Sequence, residues 1–123
     1  MSDELEGIVR EIFVDLDKMN VDKILDCFSQ DVQWVDEFTE EWTIGKSNLE
    51  TFFSNAAKSI TNMNSKASNF RTVVSGENAL VTFMLEQTYT HDGQNVDLKA
   101  PTTMAFNREN GAWKVSLLHS IPL

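Results

Sequence analysis

A chain of 123 residues with 41% apolar side chains is near the commonest domain size and can bury a real core, which excludes a disordered segment. Its net charge of −9 lies at the front: residues 1–50 carry 14 acidic and 4 basic side chains, residues 51–123 carry 5 and 6. With no basic stripe to displace counterions or hold an anionic lipid surface, neither nucleic acid nor a membrane is an expected partner.

The elements are marked in chain order. Asp3 and Glu6 have capping-box spacing, and Leu5, Ile8, Val9, Ile12, Leu16 and Met19 recur at helical intervals. Asn20 can cap a shorter helix that turns Val21, Ile24, Leu25 and Phe28 to one side. Asp31 to Asp36 then alternates apolar and polar residues, as a half-buried strand does. A period of two puts Val32, Trp34, Asp36 and Phe38 on the buried face and Gln33, Val35 and Glu37 on the other. Ser47 and Glu50 form a second capping box, opening a helix with Leu49, Phe52, Phe53, Ala56, Ala57 and Ile60 on its apolar stripe.

The second half changes period. Residues 61–69 are rich in turn formers and read as a connector to strands, the first from Phe70 to Ser75. After a turn at Gly76-Glu77-Asn78, residues 79–90 form a long strand with Ala79, Val81, Phe83, Leu85, Gln87 and Tyr89 on one face. Asp92-Gly93 and Asn110-Gly111 supply the positive φ angles of hairpin turns. Between them runs a strand from about Val96 to Asn107, in which Pro101 marks a bulge or an unpaired edge position. Ala112 to Ile121 closes the chain. Helices followed by a strand meander make an α+β pattern in one domain, residues 1–123, with the sheet curling around the three helices and leaving a conical interior.

The acidic N-terminus lacks a secretory signal, no apolar run reaches the ~18 residues of a membrane span, and Cys27 has no disulfide partner. A cytoplasmic location is expected.

The run from Asn20 to Leu25 into Phe28–Asp36, then Ile44-Gly45-Lys46, and finally Asn110 to Val115 with His119-Ser120, carries a resemblance. It resembles the nuclear transport factor 2-like superfamily, which includes ketosteroid isomerase and the SnoaL-like polyketide cyclases, over nearly the whole chain. The resemblance implies a cone-shaped curved antiparallel sheet around N-terminal helices, the cystatin-like α+β barrel. Asp36 stands where the isomerases carry a proton-shuttling aspartate. Their oxyanion-hole tyrosine has no counterpart, since Ile12 and Phe13 occupy that place, and no second acid appears near Lys99–Thr103. Family members also pair through the outer sheet face, where Leu80, Met84 and Leu118 are available, so a homodimer is expected.

Asp36 and His119 are the candidate catalytic pair. His119 is in phase with Trp113, Val115 and Leu117, and an aspartate–imidazole pair would move protons near neutral pH. The alternative for each is structural: a carboxylate capping a turn, and a core imidazole. The candidate pocket is lined by Trp34, Phe38, Trp42 and Phe53 from the first half and by Phe83, Leu85, Gln87, Tyr89, Met104, Trp113 and Leu117 from the strands. Two histidines, one at a hairpin tip, make no metal site, and no nucleotide-binding loop appears, so no metal or cofactor is expected. Two functions follow. One is a small, mainly apolar ligand in the cone, with cofactor-free isomerisation, cyclisation or dehydration by Asp36 and His119. The other is a non-catalytic binding or dimerisation module.

Overall fold

The computed structural model describes the backbone of residues 2–123 and the side chains of residues 4–123, so the capping box at Asp3 lies outside the described residues. Helix α1 (Ser2–Asp17) buries Leu5, Val9, Ile12 and Leu16 of the stripe that the spacing marks, and Phe13 besides; Ile8 is half-buried and Met19 lies past the helix end. It ends in a Schellman motif: Met19 N–H bonds Leu16 O at 2.9 Å and Asn20 N–H bonds Asp15 O at 2.9 Å, with Met19 at φ 51°. Helix α2 (Val21–Asp26) follows, with Asn20 at its cap position but no side-chain cap bond. Phe28 is not on this helix; it opens strand β1 (Phe28–Val35).

After β1 come β2 (Thr43–Ile44) and helix α3 (Lys46–Ser59). Gly45 at φ 91° holds the α3 cap position and Ser47 lies within the helix, so the expected Ser47–Glu50 capping box does not form. Leu49 and Phe53 are buried, Phe52 and Ala56 half-buried, and Ala57 is exposed.

The largest departure lies in residues 61–69. They are not a connector but part of β3 (Ile60–Ser75), paired along its length with β4 (Asn78–His91). The turn-forming asparagines instead make two bulges. The register slips between Thr61 and Asn64 and again between Ser68 and Arg71, and Asn62 and Asn69 sit there at φ 56° and 57°. Asparagine tolerates that left-handed conformation better than most residues, and each bulge bends the strand around the helices.

Strands β5 (Gln94–Glu109) and β6 (Ala112–Ser120) complete a six-stranded open sheet in the order β2-β1-β6-β5-β4-β3. The β1–β6 pairing is parallel and the others are antiparallel. Both Xaa-Gly hairpin turns have positive φ at their two central residues, the type I′ geometry. Pro101 makes no bulge against β4: it stands opposite Met84 in an unbroken ladder. Its carbonyl accepts from Ile121 N–H at 3.1 Å, just past the last β5–β6 pair at Thr102 and Ser120, and Leu123 N–H bonds Lys99 O at 2.9 Å beyond it, so its missing N–H falls near the end of the paired segment.

A bulge also resets β6. Phe106 pairs with Val115, but Ala105 pairs with Leu117, which leaves Ser116 as an extra residue. Trp113 and Val115 face inward before it; Leu118 and Ser120 do so after it, while Leu117 is half-buried and His119 exposed. The strict alternation read along this strand therefore fails at Ser116. Among the described residues, no helix is long and apolar enough to cross a membrane.

Candidate functional site

The site is built at the end of β1, where the chain turns. Asp36 accepts three hydrogen bonds: from Trp34 Nε1–H at 2.8 Å on Oδ2, and from the N–H groups of Phe38 (2.9 Å) and Thr39 (3.1 Å) on Oδ1. Its own N–H donates to Thr39 Oγ1 at 2.9 Å. The Asp-Glu-Phe-Thr run is thus a reciprocal turn, the logic of a capping box transplanted to a strand end. Asp36 lines the cavity, but its carboxylate is engaged in holding the turn and the indole.

That turn ends the strand's alternation. Glu37, read as outward-facing, instead lines the cavity together with Trp34, Asp36, Phe38 and Phe53. Burial, then the neighbouring Asp36 carboxylate, raises the Glu37 carboxyl to about 7, with a bond from its own backbone N–H opposing the rise. The Tyr89 hydroxyl is pushed up to about 12, mainly by burial and then by Glu37 and Asp36. Glu37 is the acid that sequence reasoning missed. The signal was present in Asp36 and Thr39, whose three-residue spacing announces a turn.

The cavity itself is small, about 30 Å³, enough for one or two waters. Its remaining walls include Met19, Met63 and Gln87. Met19 is a non-glycine residue in the left-handed region, which costs roughly 1 kcal/mol, and its unbranched side chain closes one wall. Met19→Gly should therefore change the free energy of urea unfolding by less than about 1 kcal/mol, because relief of strain offsets the lost packing. A loss of about 2 kcal/mol or more, as for an ordinary core methionine, would show that packing dominates there.

A polar chain, half-buried at Asp17 and Ser65 and buried at Gln87, reaches the cavity from α1. Ser65 Oγ donates to Asp17 Oδ1 at 2.6 Å, Ser65 N–H donates to Asp17 Oδ2 at 3.0 Å, and Gln87 Nε2 donates to Ser65 Oγ at 3.0 Å. Burial raises the Asp17 carboxyl, and the two Ser65 bonds pull it back.

The other expected site residues separate. His119 is not in the cavity. It pairs with Val35 across the parallel ladder, on the face opposite Trp34, because the Ser116 bulge inverts the phase of β6. The Asp36–His119 pair is therefore not assembled in this structure. Trp42 is 47% exposed and lies against His119, with ring centroids 5.9 Å apart, outside the cavity. Phe83, Leu85, Met104 and Trp113 fill the main core rather than lining the cavity. Leu117 lies on the outer face. Leu118, expected on that face, is 2% exposed, again because of the bulge. Tyr89 is buried beside Phe38, with ring centroids 5.1 Å apart. Of the pocket residues expected, Trp34, Phe38, Phe53 and Gln87 meet at the cavity with Asp36. Among the described residues, no group of three or more His, Cys, Asp or Glu side chains could hold a metal ion.

The family model for a SnoaL-like domain matches residues 6–123. This chain belongs to the SnoaL-like domain family. No curated protein matches it in sequence. The SnoaL-like domain is similar in fold to an NTF2-like protein from Cytophaga hutchinsonii, with a TM-score of 0.86 at 12% identity, covering 100% of this chain and 98% of that one. It is also similar to a ketosteroid isomerase-like protein from Erwinia carotovora atroseptica, with a TM-score of 0.82 at 12% identity over 96% and 92% of the two chains. A CaMKII hub from S. rosetta matches with a TM-score of 0.83 at 15% identity over 99% and 96%. At these identities the SnoaL-like domain shares the fold with all three.

Proposed function

We propose that this single SnoaL-like domain binds a small, mainly apolar molecule at the Trp34–Phe38–Phe53 cavity and exchanges a proton with it through Glu37. The observation that carries this reading is a carboxyl in an apolar cavity, near half-ionised at neutral pH, beside an Asp36 already committed to the turn. Glu37 takes the acid–base role that the sequence suggested for Asp36 with His119, and Asp36 positions it. Removal of a proton from carbon next to a carbonyl protonates Glu37 and leaves the C–H electron pair in an enolate. Return of the proton to the same carbon is exchange, and its return to the γ-carbon of a conjugated enolate shifts the double bond, an isomerisation without a cofactor. A similar fold in a ketosteroid isomerase-like protein supports the reaction class.

The test is exchange of the α-hydrogens of acetone and cyclohexanone in D2O, followed by NMR. The protein should accelerate exchange over buffer, and Glu37→Gln should return the rate to that of buffer. No acceleration by the unaltered protein, or equal acceleration by Glu37→Gln, would sink the acid–base role.

A second reading, a dimerisation module, rests on apolar groups on the outer sheet, Leu80 at 45% exposure with half-buried Met84 and Leu117, and on Ile121 at 51% just past the end of β6. The match to a CaMKII hub supports association. A homodimer is expected at micromolar concentration, and a monomeric mass by light scattering would count against it.

A further inference from the structure

The Asp17–Ser65–Gln87 chain fixes more than its own hydrogen bonds. Asp17, on α1, receives both the N–H and the O–H of Ser65. With its only proton committed to Asp17, Ser65 Oγ has just lone pairs to offer its other neighbour. That neighbour, directly opposite across the β3–β4 ladder, is Gln87. Only the amide nitrogen can satisfy it, which is the arrangement found, with Nε2 also 4.0 Å from Met63 Sδ. A reversed amide would set two acceptors against each other in a site where Gln87 is 4% exposed. Among the described residues no donor bonds Gln87 Oε1. That oxygen belongs to a side chain lining the cavity.

From this geometry we infer that Gln87 Oε1 is the fixed acceptor of the cavity, so the preferred ligand carries a hydroxyl or N–H donor on an otherwise apolar body. The inference rests on the ligand-binding reading above and assigns its polarity. Gln87 is a binding residue, and Ser65 and Asp17 position it. The cavity as it stands holds one or two waters, so a ring enters only if the flexible Met19 and Met63 thioethers on its wall move aside.

Phenol and benzene differ by the one donor and serve as paired probes, titrated separately and followed by amide and side-chain NMR shifts. Phenol should bind about tenfold more tightly than benzene, the size of one neutral hydrogen bond made in a buried site. Gln87→Met, which keeps the length and removes the acceptor, should erase the preference while leaving benzene binding in place. Ser65→Ala frees the amide to turn and should erode the preference as well. Equal binding of both probes to the unaltered protein would overturn the assignment while leaving the pocket intact. Preference retained in Gln87→Met would transfer the acceptor role to Glu37 and also overturn it. Failure of both probes to perturb the cavity residues would remove the ligand-binding reading itself, and this inference with it.

Discussion

Replacing Asp36 by alanine is expected to destabilise the protein by about 3–4 kcal/mol, read as a shift of the urea unfolding midpoint with unchanged slope. Three donors lose one acceptor in that variant: the Trp34 indole and two N–H groups of the following turn. Trp34 is 2% exposed, so its Nε1–H is left without a partner or with a poor one. Hydrogen bonds to a charged group contribute about 1.5–3 kcal/mol each, and those sharing one acceptor do not simply add. Asp36→Asn discriminates among them. Its retained oxygen can serve Phe38 and Thr39, whereas its NH2 group faces the indole donor. Combining Asp36→Asn with Trp34→Phe should then cost less than the sum of the two single changes, by about 1 kcal/mol. Additive costs would mean that the indole bond contributes little. A loss below about 0.5 kcal/mol for Asp36→Ala, the range of a neutral surface change, would show that the turn stands without its carboxylate.

The second large effect is one of pH. Glu37 titrates at about 7 in the folded protein against 4.5 for the free side chain, chiefly because it is buried. Between those values the folded state holds a proton that the unfolded chain has released. Stability contributed by this group is complete below 4.5 and falls as pH rises through about 7. Glu37→Gln should remove that dependence. Its unfolding midpoint should fall less steeply across the window, since Asp17 is raised as well, and should be higher than that of the unaltered protein at and above neutrality. Parallel pH profiles for the two proteins would place Glu37 in water, and the acid–base proposal would lose its basis.

The helices and hairpins were legible because their signals are local. Leu5, Val9, Ile12 and Leu16 mark a buried stripe by spacing alone, and Asp92-Gly93 or Asn110-Gly111 name a turn by the φ angles they tolerate. The site was legible only in part, because its residues depend on the phase of strands, and phase is lost wherever a residue is inserted or a strand stops. Ser116 is an inserted residue with no distinguishing chemistry, yet it moves His119 to the outside and Leu118 to the core. Asp36 lines the cavity, and the turn it holds carries Glu37 round to the same side. The asparagines at 62 and 69 were read as loop formers. Their tolerance of positive φ was the right property assigned to the wrong element.

Those two asparagines bear on solubility. Strand β3 is an outer strand of the sheet, sixteen residues long, with exposed Val73 and Val74 near its end. An uninterrupted strand of that length would offer a straight row of unpaired backbone groups to any other extended chain, the starting point of edge-to-edge aggregation. The bulges at Asn62 and Asn69 break the row, and exposed Lys66 and Arg71 place positive charge along it. The bends that wrap the sheet around its helices therefore also spoil the template along which copies of the chain would stack.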